Sequence, residues 1–174
     1  DREQVILVDG DDRGIGYMEK LVAHREGLLH RAFSVFIFDG DGRLLLQRRA
    51  LGKYHSPGLW SNTCCGHPRP GEDTLSAAQR RLVEEMGLHC ELRHVHSFMY
   101  RADLGNGLWE HELDHVFVGT TPSEPLPNPD EVAEWRAVPR AALEEELAHA
   151  PGDFTVWFPQ CVHTAWDHRP SSRQ

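Results

Sequence analysis

One stretch of this sequence limits the possible folds more than any other. Gly66 is followed after five residues by Glu72, after seven more by Arg80, and then by Leu82, Glu84, Glu85, Gly87 and Leu88. Asp73 or Thr74 can cap a helix here; Leu75, Ala78, Leu82 and Met86 recur at helical spacing, and Gly87 suits its C-terminal stop. The pattern predicts a loop–helix–loop whose carboxylates gather at one place. Glu84 and Glu85 are adjacent, so they cannot share one helix face. One is expected to form a salt bridge within the fold while the other reaches a hard cation. Oxygen ligands suit Mg²⁺, which binds one or two carboxylates together with substrate phosphates. An isolated Glu-Glu pair would more often be a solvated charged face.

The rest of the chain supplies short strands around this helix. Val5 to Val8 reads as an edge strand, and Gly10 to Gly16 as a turn-rich link. Tyr17 to His24 fits no single pattern. Phe33 to Phe38 and Leu44 to Gln47 read as strands joined by the hairpin signal Asp39-Gly40-Asp41-Gly42. Tyr54 to Pro70, rich in Gly, Pro, Ser and Cys, reads as a long loop, and long ordered loops in compact domains are usually functional. Cys90 to Tyr100 and Leu108 to Val118 are expected strands joined at Asp103 to Gly107. Glu134 to Val138 is a further strand, Pro139 opens a helix to about His149, and a last helix starts near Phe154. A Pro-rich connector at Thr121 to Pro129 and a polar tail over 170–174 do not divide the chain. Strands interleaved with a few helices predict one compact α/β domain spanning 1–174, an α/β/α sandwich around a mixed sheet.

Composition removes several classes of function. With 18 basic and 27 acidic residues the net charge is −9, so no general basic face exists for nucleic acid or an anionic membrane. No apolar run approaches the roughly 20 residues of a membrane helix. Cys64, Cys65, Cys90 and Cys161 form no C-x-x-C pair, which argues against a disulfide framework or a cysteine-only zinc site and for a cytoplasmic protein with reduced thiols. The 12 histidines can mean metal, acid–base chemistry or nothing.

Three further clusters carry chemistry. Asn62-Thr63-Cys64-Cys65-Gly66-His67-Pro68 places a cysteine two residues before a histidine, a nucleophile, an acid or a metal site against the plainer reading of buried thiols and a surface His. In Trp109-Glu110-His111-Glu112 a strand would put both glutamates on one face and His111 on the other. Two such carboxylates repel unless a cation or proton sits between them. His24 and His30 flank a short loop before the Phe33 strand.

The loop–helix–loop resembles the Nudix box, with Arg81 where hydrolases carry a metal-binding glutamate. Together with Cys65-Gly66-His67-Pro68 and Glu110-His111-Glu112, it makes the chain from Val5 to Trp157 resemble the type I isopentenyl-diphosphate Δ-isomerases. The resemblance implies a flavin-independent isomerase that protonates and deprotonates an isoprenyl diphosphate through a carbocation-like state. It implies a metal site of His24, His30, His67, Glu110 and Glu112, filled by Mn²⁺, Mg²⁺ or Zn²⁺, since such a ligand set does not choose among them. Glu85 is implied as ligand to the Mg²⁺ that accompanies the diphosphate, and Cys65 and Glu112 as the acid–base pair. Tyr100 is implied beside the carboxylate, Trp157 over the reacting carbons, and Lys20, Arg49, Lys53 and Arg81 around the diphosphate. The N-terminal segment 1–30 is expected to close over the site. The expected partner is the small-molecule substrate, with no nucleic acid or membrane, and the protein a monomer or weak dimer. Val156 stands where relatives usually carry proline before the tryptophan. His111 and the remaining histidines, His55 among them, receive no role.

Two rival readings remain open at this point. A Nudix hydrolase acting on a nucleoside diphosphate derivative would need a carboxylate at position 81, where this chain has arginine. A catalytically silent binding module would keep the ligands without the chemistry.

Overall fold

The computed structural model describes residues 3–170, so the expected tail beyond Pro170 lies outside the described residues. Strand β1 (Gln4–Val8) turns and returns antiparallel as β2 (Gly14–Glu19). The Asp9 carboxylate accepts the backbone N–H groups of Asp11 and Arg13 at 2.9 and 3.0 Å, which closes the turn tightly and frees Gly14 onward to be strand instead of link. Consequently β2 is outermost beside β1, and Val5 to Val8 is not the edge. Helix α1 (Lys20–Glu26) follows directly and ends on Gly27.

Strands β3 (His30–Phe38) and β4 (Leu44–Arg49) are joined by the Asp39–Gly42 turn, but they pair only at Phe38–Leu44. The hairpin opens because each strand has better partners. β4 pairs along its length with β9 (Val132–Val138). β3 pairs antiparallel with β6 (Cys64–Gly66) and parallel with β8 (Leu108–Thr120). The long Tyr54 to Pro70 loop therefore carries β6 and the short β5 (Trp60–Ser61). β7 (Arg93–Gly105) and β8 form a hairpin about Asn106-Gly107, both at positive φ, as a two-residue turn demands.

Helix α2 (Thr74–Met86) is the predicted one. The Asp73 side chain accepts the N–H of Ser76 at 3.1 Å, and Gly87 sits left-handed at φ 65°. A Cβ on Gly87 would come within 2.8 Å of the Leu126 carbonyl oxygen, so packing as well as φ requires glycine. The buried stripe is Ala77, Ala78, Leu82, Glu85 and Met86, whereas Leu75 is 37% exposed. Helix α3 (Arg140–His149) follows Pro139 as expected. Helix α4 (Phe158–Asp167) begins later than Phe154, because Thr155 donates its N–H to the Trp60 carbonyl at 2.9 Å and holds that segment extended.

Alternation along β3 builds the layers. Phe33, Val35 and Ile37 pack with Ala78, Leu82 and Met86 of α2. Phe36 and Phe38 pack on the opposite side with Phe158, Val162 and Trp166 of α4. Each such side chain contributes about 1.5–3 kcal/mol by leaving water. This is the α/β/α arrangement around a mixed sheet that the sequence predicts.

Candidate active site

Strand register assembles the site. The parallel β3–β8 pairing sets His30 beside Glu112. The β7–β8 hairpin sets Tyr100 opposite Glu112, and the β3–β6 pairing sets Cys65 opposite Ser34. The first turn of α1 adds Lys20, and its next turn adds His24. Glu110 and Glu112 are buried on one face of β8, while His111 turns away and meets the Gly27 carbonyl through Nδ1 at 2.9 Å. Gly66 lies so near the Phe33 ring that a Cβ would approach it to 2.8 Å, which lets β6 press Cys65 and His67 against β3.

Five of the predicted residues converge at one point. His24, His30, His67, Glu110 and Glu112 each offer a ligand atom, and all five atoms lie within 4.8 Å of one another. Bonds of about 2.0–2.2 Å to a single ion nearly span that spread. His24 Nδ1 meets the Lys20 carbonyl at 2.8 Å, and His30 Nδ1 meets the Leu28 carbonyl at 2.9 Å. A carbonyl only accepts, so both Nδ1 atoms carry the proton and both Nε2 atoms turn a lone pair inward. Glu110 Oε1 lies 2.8 Å from His24 Nε2. Yet His24 Nε2, His30 Nε2 and Glu110 Oε1 are buried without a hydrogen bond. Buried polar atoms are rarely left so. Acceptors facing one another at this distance are what a shared divalent cation leaves, and the residues fit such an ion.

Glu112 is the best-supported carboxylate. Tyr100 donates its hydroxyl to Oε1 at 2.6 Å, and Oε2 lies 2.8 Å from His67 Nε2 and 3.3 Å from His30 Nε2. Burial alone would raise its pKa, but the contacts with His30 and His67 hold it well below the ordinary carboxylate value. Glu110 goes the other way, raised by burial and by the Glu112 charge. Burial also lowers His67 to about 3, against the opposing pull of Glu112.

Cys65 stands beside the cluster. Its thiol faces Asn62 Oδ1 at 3.1 Å and receives the Trp157 indole N–H at 3.2 Å. Burial, reinforced by Asp114, lifts the thiol to about 12, so it holds its proton at neutral pH. Trp157 also donates to Asn62 Oδ1 at 3.2 Å, and the Arg49 guanidinium lies 5.6 Å from its ring centre. Phe154 to Trp157 thus reaches the site even with Val156 in place of proline.

A cavity of about 290 Å³ opens over these groups, lined by Cys65, His67, Glu110, Glu112 and Trp157 at one end and by Lys20, Arg49, Lys53, Arg81 and Glu85 at the other. His24, His30 and Tyr100 lie behind this wall. At the basic end Arg81 pairs with Glu85 and, at 2.8 Å, with Glu84. Glu85 Oε1 also accepts from Gln47 Nε2 at 2.9 Å. Both glutamates of the adjacent pair therefore meet Arg81, but only Glu85 is buried.

Several site residues had no sequence assignment. His55 is buried, stacks on His24 at 5.4 Å between ring centres, and is lowered to about 2 by burial and Arg49. Its place two residues after Lys53 was the only signal. Asp114 continues the alternating acidic face of Glu110 and Glu112, a legible signal, and accepts the Ser34 hydroxyl at 2.7 Å. Asn62 and Glu131 carried none.

The chain matches the NUDIX domain family over residues 28–158. A protein from Burkholderia multivorans named isopentenyl-diphosphate Delta-isomerase is 55% identical over 96% of this chain and 99% of its own length. One of the same name from Serratia proteamaculans is 55% identical over 90% of this chain and 87% of its own. A crystal structure from Deinococcus radiodurans shares the fold at 18% identity, with a TM-score of 0.78 over 94% of this chain and 99% of that one.

Proposed function

The chain belongs to the Nudix family, and from that premise we propose that it interconverts isopentenyl diphosphate and dimethylallyl diphosphate, as the names of its full-length relatives indicate. The observation that carries this reading is the near-complete coverage of those isomerases, joined to a site that sets Cys65 beside a His/Glu cluster containing Glu112.

The reaction adds a proton to one carbon, removes one from another and shifts the double bond between them. Cys65 and Glu112 are assigned as the pair. Because the reaction runs both ways, each donates in one direction and accepts in the other. The resting site supports this: the Cys65 thiol is protonated and Glu112 is ionised. Tyr100 holds the Glu112 carboxylate in place through Oε1. Trp157 offers a π face to the developing cation without a lone pair to trap it. A divalent ion on His24, His30, His67, Glu110 and Glu112 (Mn²⁺, Mg²⁺ or Zn²⁺) would supply charge that acidifies a carboxyl group it touches. Glu85 is assigned to the Mg²⁺ that accompanies the diphosphate.

Lys20, Arg49, Lys53 and Arg81 bind the diphosphate by charge and hydrogen bonds, and arginine at position 81 favours holding it over cleaving it. Water would quench the cation to an alcohol. The N-terminal segment is assigned to exclude it; Glu3 and Lys20 line the cavity, and Glu3 pairs with Arg69 at 2.8 Å. This reading makes a small-molecule diphosphate the partner of a cytoplasmic monomer or weak dimer; no helix among the described residues is long and apolar enough to cross a membrane.

Incubation with isopentenyl diphosphate and Mg²⁺ tests the proposal. Dimethylallyl diphosphate is the expected product. Release of phosphate or pyrophosphate without isomer would return the chain to the hydrolases.

A further inference from the structure

The basic end of the cavity contains an anion of its own. Glu131, in the turn that leads into β9, places Oε1 against Lys53 Nζ and 3.3 Å from Arg81 Nη2. One carboxylate oxygen thus bridges two of the four cations assigned to the diphosphate. Lys53, Arg81 and Glu131 all line the cavity. The backbone holds Glu131 there, since Ala50 donates its N–H to the Glu131 carbonyl at 3.1 Å and Glu131 donates its own to Asn128 at 3.0 Å. Its side chain is nevertheless 26% exposed, so the carboxylate can swing out toward water without disturbing those bonds.

A carboxylate in a pocket that must accept several negative charges opposes binding unless it has a task. We propose that Glu131 is an internal stand-in for the diphosphate, a counter-ion that pairs Lys53 with Arg81 in the free protein and that only a multiply charged ligand displaces. Ligand and carboxylate compete for the same two cations. Glu131 brings one charge and one bridging oxygen. A monophosphate ester carries up to two charges but gathers them on a single phosphorus, and cannot span all four cations after evicting that partner. A diphosphate spans both cations with separate oxygens and keeps further oxygens for Arg49 and Lys20. Glu131 therefore sets a cost that every anion displacing it must meet, and a diphosphate, with its further contacts, keeps a useful affinity where smaller anions do not. Burial would raise the Glu131 carboxyl, but Lys53 and Arg81 hold it ionised, so the stand-in is charged throughout the neutral range.

The inference rests on the diphosphate reading of the pocket, and the test separates the two. Inorganic pyrophosphate and inorganic phosphate are titrated calorimetrically into the wild-type protein and Glu131→Gln, with no turnover involved. Glu131→Asp serves as a second variant, which keeps the charge on a shorter arm, and thermal melting checks that each is folded. The expected result is pyrophosphate binding about three- to tenfold tighter in Glu131→Gln, the scale set by freeing two partly exposed ion pairs. Phosphate binding should improve by no more than pyrophosphate binding does, because both anions meet the same displaced carboxylate. The KM for isopentenyl diphosphate should fall in parallel, and Glu131→Asp should lie between. Unchanged or weaker pyrophosphate binding in a folded Glu131→Gln overturns the stand-in role alone. No pyrophosphate binding in any of the proteins overturns the diphosphate pocket and the stand-in together.

Discussion

The two ends of the cavity solve opposite electrostatic problems. At the His/Glu end, buried acceptors face one another: His24 Nε2, His30 Nε2 and Glu110 Oε1 have no hydrogen-bond donor. At the basic end, Arg81 and Lys53 are already matched by Glu84, Glu85 and Glu131. The first end is incomplete without a cation and is walled by β3, β8 and α1. The second already pairs Lys53 and Arg81, is more exposed, and is made of long side chains that exchange partners. A resident ion calls for rigid ligands whose orientation is set in advance. An exchangeable anion calls for contacts that can be broken on every turnover.

The largest expected effect belongs to chemistry at the rigid end. Cys65→Ala and Glu112→Gln should each lower kcat by about 10²- to 10⁴-fold, the range of a lost general acid or base, while pyrophosphate still binds with near wild-type affinity. Isomerase assays paired with calorimetry check this. A parallel loss of pyrophosphate binding would mean that the two ends are not separable, and near-normal turnover in both variants would remove the pair from the mechanism.

The next effect is that of the ion. A chelator should lower Tm, and re-addition of a divalent ion at about 1,000 times its Kd should restore about 4 kcal/mol. His30→Ala should melt at the same temperature with and without the ion. A chelator effect that survives in His30→Ala would place the stabilising ion elsewhere.

Acidity gives a smaller difference, in the metal-free protein. His67 stays neutral down to about 3 when folded but takes a proton near 6.5 when unfolded. The unfolded chain therefore binds more protons between those values, so this group's stability contribution is present above about pH 6.5 and lost as pH falls. Glu110, raised by burial and by Glu112, acts in the opposite sense above the ordinary carboxylate range, because the folded form keeps its proton longer. The clean reading is a difference: urea midpoints between pH 7.5 and 5.5 should fall less in His67→Asn than in the wild type, by about 1.4 kcal/mol for one pH unit below 6.5. Equal slopes would show that His67 titrates normally in the folded protein.

The smallest effect should leave the comparison intact. Asp73→Ala removes the cap of α2 and should cost about 1 kcal/mol in a denaturation curve, with little change in kcat.

Local features were the most legible. The α2 boundaries follow from Asp73 and Gly87 through rules that need only neighbouring residues. The shared face of Glu110 and Glu112, with His111 opposite, follows from the period of a strand. The misread pieces turn on partners distant in sequence. Leu75 satisfies the helical spacing yet lies at the rim of the face that packs on β3. The Asp39–Gly42 turn reads as a plain hairpin, but β9 and β8 separate its strands. Gly14 to Gly16 looks like a link, and Tyr17 to Glu19 fits no single pattern, until β1 offers a partner. Glu131 entered the cavity unannounced, because nothing beside it in the chain distinguishes it from a surface residue, and His55 had only its nearness to Lys53.

Sequence by itself thus determined the layered α/β fold, the capped helix, and which acids, thiols and histidines were candidates, because residue type, spacing and short-range backbone rules suffice for these. Tertiary structure alone decided that His24, His30, His67, Glu110 and Glu112 meet within 4.8 Å, that Cys65 keeps its proton, and that Glu131 lies between Lys53 and Arg81. Those outcomes depend on strand register across dozens of residues and on burial, which sets the cost of every unpaired charge.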